Sequence, residues 1–246
     1  MSQYFSFRGK VYVARRDTSG NPLGFTFAGN VPDLSLKLGV EKDEHIESQS
    51  GQDLVDDVDI TKRSGEVTLV AEQLIKEIIA LALNAKVTTV GTGSKTDIAL
   101  CSSPVVGTPY MLPDVNVSIV TLEAGGSAVA TEKFTVDEDY GMVTFLDVTG
   151  ITGAITASYS TGAATHYALH TDTLPEIWIR LNGVNAKTMD KIAVDLYRVG
   201  MDPAETLAWI NSKRSNMTLP GTVLADMTKP ADGALGQFGR FIAIGE

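Results

Sequence analysis

The amino-acid sequence predicts a mainly β protein with one amphipathic helix and a small β-rich domain inserted into a larger one. Apolar residues alternate with polar residues along much of the chain, and only one stretch has clear helical spacing. The middle third is rich in Gly, Ser, Thr, Ala and Val. With 246 residues, of which 43% are hydrophobic, the composition is that of a folded protein with one or two domains.

A short β-hairpin is predicted near the N-terminus. Residues 10–15 and 23–27 are rich in Val, Tyr and Phe, and the turn-forming stretch 17–22 lies between them. Two strand-like runs joined by such a turn pair as antiparallel neighbours.

A second, much longer hairpin follows. Apolar residues spaced by two predict a strand with one buried face: Leu34, Leu36, Leu38 and Val40. The chain is expected to turn around residues 48–52 and to return through Val58 and Ile60 to Val67. The apolar positions change parity near Gly65, which predicts a bulge or bend there.

The helix is predicted over residues 74–84, where apolar residues recur at i, i+3 and i+4. Its apolar side is expected to lie in the core: Leu74, Ile75, Ile78 and Ile79. A second, short helix is predicted over residues 202–209, with Asp202 as N-cap and Pro203 in the first turn.

The change of composition divides the chain into two domains. Residues 1–85 and 170–246 form the predicted core domain, and residues 86–169 form the predicted insert. Alternation resumes after the insert at residues 177–182 and 192–196, and residues 217–225 and 236–244 predict the closing strands. Both parts have ordinary domain sizes.

The charge is unevenly distributed. The chain carries a net charge of −10, and residues 33–59 contain nine acidic and two basic residues, a local net charge of −7. Such an acidic surface disfavours binding of nucleic acid through its phosphates. Two interpretations of the run remain open: a solvated hairpin tip, or a surface that repels anions.

The sequence does not predict an enzyme, a cofactor or a metal site. It contains no nucleophile elbow and no dinucleotide fingerprint, and Ser94 replaces the glycine that a phosphate loop requires before Lys95. Residues 90–96 are therefore predicted to be a flexible linker.

His166 and His170 are interpreted as residues at the domain junction. The single cysteine, Cys101, fits a reducing compartment, and neither a signal peptide nor a membrane span is visible.

Several segments together resemble the major tail tube proteins of long-tailed bacteriophages. The N-terminal ones are GKVYVARRDTSGNPL at residues 9–23 and FAGN at residues 27–30, followed by the acidic hairpin. The C-terminal half is similar to the same family in the same order, with IWIRLNGVN at 177–185, VDLYRV at 194–199, DPA at 202–204 and LPGTVLAD at 219–226. In the insert, FTVD at 134–137 and YGMVTFL at 140–146 resemble a hairpin that recurs in phage tail modules.

This resemblance implies a β-sandwich or half-barrel with one flanking helix, and it implies an Ig-like β-sandwich for the insert. Six copies would close into a ring, and rings would stack into the hollow tube of a non-contractile tail. The tube would enclose the tape measure protein during assembly and conduct double-stranded DNA during ejection. The tail tip or initiator complex and the tail terminator would be its other partners. The protein would be assembled in the host cytoplasm and located in the virion.

The resemblance also suggests roles for the acidic hairpin. Four carboxylates are expected near the lumen or the ring interface: Glu41, Asp43, Glu44 and Glu47. The hairpin tip is expected to be the loop between stacked rings: Ser50, Gly51, Asp53, Asp56 and Asp57. The insert is expected on the outside, because growth inward would block the channel.

Two alternatives remain open. One is the inner tube of a contractile tail or of a related secretion machine, although the insert would collide with a sheath. The other is a binding module in which the insert recognises carbohydrate or a host surface. Because both tryptophans lie outside the insert, the sugar-stacking residues would then be Tyr110, Tyr140 and Tyr159.

Overall fold

The structure is a computed structural model, and it describes residues 4–49, 51–231 and 235–245. Strands dominate the described chain, which confirms the mainly β prediction. In chain order the elements are β1 (Phe7–Arg15), β2 (Thr26–Phe27), β3 (Asp33–Ile46), β4 (Val55–Ala71), α1 (Lys76–Ala82), β5 (Lys86–Val90), β6 (Gly93–Cys101), β7 (Pro109–Met111), β8 (Val117–Ala124), β9 (Ser127–Ala128), β10 (Phe134–Asp137), β11 (Met142–Phe145), β12 (Ile155–Thr161), β13 (Ala164–Ala168), β14 (Glu176–Asn185), β15 (Lys191–Met201), β16 (Met217–Val223) and β17 (Gly239–Ile244).

The chain divides into two compact units. The larger unit contains residues 1–86 and 167–246, and the insert unit contains residues 87–166. The sequence placed the corresponding divisions at 85/86 and 169/170. Strands β5 and β13, where the chain passes from one unit to the other, pair with each other.

The larger unit is built on one eight-stranded sheet with the order β2-β1-β14-β15-β16-β4-β3, and β17 pairs with part of β15. The two predicted hairpins form: β1 pairs with β2, and β3 pairs with β4 along its whole length. The C-terminal strands insert between these hairpins, because β14 pairs with β1 and β16 pairs with β4. The two ends of the sequence therefore share one sheet.

The helix α1 covers part of one face of this sheet. Ile78 and Leu81 are fully buried and pack with sheet residues such as Leu69, Ile179 and Val199. The helix begins two residues later than predicted, because Ile75 has an extended backbone and no side chain caps the N-terminus. The prediction that Leu74 lies in the core is wrong, since this side chain is 75% exposed.

The second predicted helix does not form: residues 202–216 have no helical segment. The backbone N–H of Asp202 donates to the Pro220 carbonyl at 2.9 Å, and that of Ala204 donates to the Ala82 carbonyl at 2.9 Å. These bonds tie the segment to β16 and to the end of α1. The amides that a first helical turn would leave unpaired therefore already have partners outside the segment.

The predicted irregularity at Gly65 is also misplaced. Leu38 pairs regularly with Gly65, and the register shifts instead between Glu41 and Lys42 and again between His45 and Ile46. The first shift explains why the apolar positions of β4 change parity. Gly65 has another role, because a Cβ atom there would lie 3.0 Å from the Cβ of Val223 on β16.

The insert unit contains two sheets, β10-β11-β7 and β6-β12-β8-β9, which share one buried cluster. Phe145 of the first sheet and Ile155 of the second are both fully buried in this cluster. Residues 93–96 belong to strand β6, so the prediction of a flexible linker over residues 90–96 is wrong for this part. Tyr159 is 2% exposed and donates to Asp114 at 2.7 Å, so it cannot serve as the predicted sugar-stacking residue.

Candidate functional site

The strongest candidate site is a ribbon that extends beyond the sheet. Strand β16 pairs with β4 only from Gly65 to Ala71, whereas β3 pairs with β4 as far as Ile46 and Val55. Residues 39–49 and 51–64, here called the ribbon, therefore include two strand segments that, within the described chain, pair only with each other. Two-stranded ribbons are marginally stable alone in water, so this one needs a further surface to pack against.

One face of the ribbon and of the adjoining sheet is mainly apolar, although Lys42, Glu44 and Arg63 also lie on it. Because side chains alternate along strands, the register places seven large apolar side chains on the same face, here called the apolar face: Leu36, Leu38, Val40, Ile46, Val55, Val58 and Ile60. All seven are exposed, and Leu38 reaches 69%. The prediction that residues 34–40 bury one face is thus wrong for this chain alone, except at the partly buried Leu34.

The opposite face of the ribbon and of the adjoining sheet, here called the polar face, is charged, and part of its charge is paired. Glu41 and Lys62 are directly opposite and form an ion pair of 2.8 Å, and Lys37 and Glu66 form another of 3.0 Å. The hydrogen bond from Lys62 to Glu41 raises the pKa of Lys62. This polar face therefore carries two neutralised pairs near the sheet.

Toward the end of the ribbon the polar face becomes acidic. Asp43 lies opposite Asp59 and His45 lies opposite Asp57, while the His45 ring contacts Asp56 at 2.6 Å. Residues 43–59 contain seven acidic residues and neither lysine nor arginine. Like charges placed directly across a strand pair destabilise the pair. A cationic partner would therefore stabilise this end of the ribbon most.

The four carboxylates predicted near a lumen or interface do not share one face. Glu41 and Asp43 lie on the polar face, whereas Glu44 lies on the apolar face because it follows Asp43 in the strand. Glu47 lies just beyond β3, where its N–H donates to the Leu54 carbonyl at 2.8 Å and its carboxylate accepts from Gln49 N–H.

The predicted stacking loop lies at the end of the ribbon. Gly51 and Asp53 have left-handed backbone conformations, with φ of 70° and 52°. Asp56 contacts His45, and the Asp57 carboxylate accepts from the Val58 N–H at 2.8 Å. Ser50 lies outside the described residues.

The apolar face is continuous with a groove in the larger unit. The groove has a volume of about 730 Å³ and is lined by Val11 of β1, Leu36 of β3, Val194 of β15 and Phe241 of β17, among others. Leu36 belongs both to the groove and to the apolar face. The groove and the apolar face lie on the face of the sheet that α1 partly covers, and the part beyond the helix is apolar from the groove to the ribbon.

Both ends of the strand order leave backbone edges without a neighbouring strand in the described chain. Strand β3 is the last strand on one side. On the other side β2 pairs only with Tyr12 and Val13, so residues 7–10 of β1 have no strand partner there. Open edges of this length are sites for pairing with another chain.

The sequence alone did not identify that the apolar face is exposed or that it continues onto the end of β4. Val55 and Val58 lie within the acidic run and Ile60 directly follows it, and their presence there was the available signal. The bulge after Glu41 brings Val58 and Ile60 onto the face of Val40, and this register could not be read from β4 alone. Within the described chain there is no group of three His, Cys, Asp or Glu residues able to hold a metal ion.

The sequence was also compared with known proteins. A family model described as "Protein of unknown function UCP028589" matches residues 4–242. No match to a curated protein was found. Among the described residues, no helix has the length and apolar character needed to span a membrane.

Proposed function

The chain belongs to the family of proteins of unknown function UCP028589, and we propose that it is a virion structural protein that forms the tail tube of a long-tailed bacteriophage. Its copies assemble into hexameric rings that stack into a non-contractile tube. The tube encloses the tape measure protein and later conducts double-stranded DNA. In this role the protein needs no cofactor and catalyses no reaction.

The exposed apolar face of the ribbon is the observation that carries the proposal. Soluble monomers rarely expose apolar patches of this extent unless another surface covers them. Burying a large aliphatic side chain contributes about 1.5–3 kcal/mol, so covering several half-exposed ones favours assembly strongly. The groove lined by Val11, Leu36, Val194 and Phe241 offers a surface of the same chemical character on every copy.

The open edges of the sheet support a ring rather than a two-fold dimer. Strand β3 and the first residues of β1 lie at opposite ends of the strand order. Contacts between unlike ends are heterologous, and such contacts close into rings or continue as filaments. Ring closure would remove both edges, which would otherwise pair without control.

The acidic ribbon supports a conduit for DNA. Six copies of the local charge of −7 over residues 33–59 would give a ring about forty negative charges near its channel. Such a wall repels phosphates within a Debye length of about 8 Å, so DNA could pass without adhering. Of the carboxylates predicted near the lumen, Glu41 and Asp43 lie on the polar face. Glu41 is paired with Lys62, whereas Asp43 lies opposite Asp59.

Electron microscopy of the concentrated protein, with light scattering on the same sample, tests the proposal. We expect rings or hollow tubes of uniform diameter. The double variant Val58→Thr, Ile60→Thr keeps β-branched side chains while weakening the apolar face, and it should abolish rings. The matched control is Val105→Thr, Val106→Thr, which changes two similarly exposed side chains in the insert unit and should leave rings intact.

The proposal fails if the wild-type chain forms neither rings nor tubes and is also absent from tails purified from infected cells. If Val58→Thr, Ile60→Thr assembles as well as Val105→Thr, Val106→Thr, the apolar face is not an assembly surface. A sheath protein surrounding the tube would instead support the inner tube of a contractile tail.

A further inference from the structure

The larger unit has a basic face on an otherwise acidic protein. Arg8 and Lys10 of β1 point to the same side of the sheet, because they are two residues apart. The register places Arg180 of β14, Lys191 of β15 and Arg240 of β17 on this side as well. Arg8, Lys10, Arg180 and Lys191 line one shallow depression of about 390 Å³.

Only part of this positive charge is balanced within the face. The buried carboxylate of Asp195 accepts hydrogen bonds from Arg180 and Arg240, each at 2.9 Å. In the part of the chain that the structure describes, Arg8, Lys10 and Lys191 are exposed and have no ion-pair partner. The five cations and one carboxylate leave a local charge of +4, although the whole chain carries −10.

The acidic end of the ribbon has the complementary charge and spacing. Asp57 and Asp59 are two residues apart on the polar face, as Arg8 and Lys10 are on theirs. Strands rise about 3.3–3.4 Å per residue, so each pair of charges is separated by about 7 Å along its strand. Two antiparallel or parallel strands could therefore bring both carboxylates opposite both cations at once.

We propose that the basic face binds the acidic end of the ribbon of a second copy of this chain. This contact rests on the proposed tail-tube function and identifies what the predicted stacking loop contacts in the next ring. The apolar face would then hold neighbours within a ring, while Asp57 and Asp59 would join one ring to the basic face of another. A surface of one charge sign that meets its complement raises both the rate and the specificity of association.

Charge reversal tests the contact in the full chain. The variants Arg8→Glu, Lys10→Glu and Asp57→Lys, Asp59→Lys each place like charges in contact, so association measured by sedimentation velocity should weaken at least about tenfold. The quadruple variant restores opposite charges and the original net charge, and its association should return to within about threefold of the wild type. Raising the salt concentration from about 50 mM to about 500 mM should weaken wild-type association.

The matched control is Lys213→Glu, Arg214→Glu, which reverses two exposed cations elsewhere in the larger unit and should change association little. Arg180 and Arg240 are left unchanged, because removing them would leave the buried Asp195 uncompensated. Circular dichroism of every variant checks that the fold is retained.

The outcomes separate this contact from the tube itself. If Arg8→Glu, Lys10→Glu and Asp57→Lys, Asp59→Lys both form tubes as well as the wild type, with the same salt response, the contact is overturned. The proposed tail-tube function is then unaffected. Salt-sensitive association rescued in the quadruple variant, but without rings or tubes, would support the contact and overturn the tube. A chain that stays monomeric at every concentration overturns the contact. Retention of a short double-stranded DNA by the wild type, lost in Arg8→Glu, Lys10→Glu, would assign the face to nucleic acid instead.

Discussion

Arg16 and Asp226 form an ion pair of 2.7 Å in which both side chains are almost completely buried, with exposures of 6% and 2%. Arg16 follows β1 and Asp226 follows β16, so the pair joins two distant parts of the larger unit. Glu176 extends the network, because it contacts Arg16 at 3.5 Å and Arg198 at 2.6 Å. The turn after β1, the start of β14 and the segment after β16 are thereby held together.

The first prediction concerns the loss of this buried pair. In Asp226→Asn the Arg16 guanidinium stays buried without its closest counter-charge and keeps only the longer contact with Glu176, which should lower the free energy of unfolding by about 3 kcal/mol. Both tryptophans, Trp178 and Trp209, lie in the larger unit, so fluorescence during urea unfolding reports on this unit. Asp190→Asn, at an exposed position, should change the free energy by less than about 0.5 kcal/mol. Equal effects of the two variants would contradict the structural role of the pair.

The second prediction is a loss of stability in acid. Burial opposes ionisation of Asp226, but hydrogen bonds from Thr228 and the charge of Arg16 hold its pKa below the usual range. The hydrogen bonds from Arg198 likewise lower the pKa of Glu176. A carboxyl whose pKa is lower in the folded state stabilises the fold fully above its unfolded pKa, and this contribution is lost as the pH falls through the folded pKa.

The free energy of unfolding should therefore be steady above about pH 5 and should fall as the pH drops below about 4. Urea unfolding at a series of pH values, from acid to neutral, measures this free energy. Because Asp226→Asn removes one titrating group, its acid dependence should be shallower than that of the wild type. An unchanged slope would show that other carboxyls dominate.

The third prediction concerns Ile119 in strand β8. This residue is 76% exposed and has a left-handed backbone with φ of 53°, a conformation that β-branched residues rarely adopt. Asparagine tolerates the conformation better, so Ile119→Asn should stabilise the insert unit by about 1 kcal/mol. Native-state amide hydrogen exchange of β8 and β12 measures the change. Ile119→Val keeps the β-branched strain and should not stabilise; equal protection in both variants would argue against strain at this position.

The fourth prediction compares two glycines with left-handed backbones in the insert unit. A Cβ atom at Gly141 would overlap the carbonyl oxygen of Asp114, whereas a Cβ at Gly126 would have no atom within 4 Å. The left-handed backbone should lower the free energy of unfolding by about 1 kcal/mol in both Gly126→Ala and Gly141→Ala. Gly141→Ala must also shift the backbone, so its total loss should be several kcal/mol. Hydrogen exchange of β11 distinguishes the two, and similar losses would refute the predicted clash.

Local sequence patterns predicted several elements correctly. Turn formers at residues 17–22 set the β1–β2 hairpin, and alternation over β3 and β4 set the long hairpin. The helical spacing around Ile78 placed the centre of α1 in the core. Each of these patterns is local, because the residues that form the element also specify its period or its turn.

Whether an apolar side chain is exposed depends on the surfaces that pack against it, and local sequence does not specify those surfaces. The prediction of a buried face on β3 was therefore wrong. The alternation of Leu36, Leu38 and Val40 correctly predicted a strand with one apolar face, but nothing among the described residues of the larger unit covers that face. Residues 202–209 had the signals of a helix start, yet bonds to Pro220 and Ala82 fix the backbone differently. Tertiary context overrides a weak local preference when it satisfies the same amides.

The sequence by itself determined the strands, the long acidic hairpin and the change of composition that marks the insert, because these depend on the order of neighbouring residues. Only the tertiary structure decided that β14 lies between β1 and β15, which buries Asp195 between Arg180 and Arg240 and assembles the basic face. It also decided, through the bulge after Glu41, which side chains share a face of the ribbon. Both features depend on the register between strands far apart in the chain, and a shift by one residue would reverse every face.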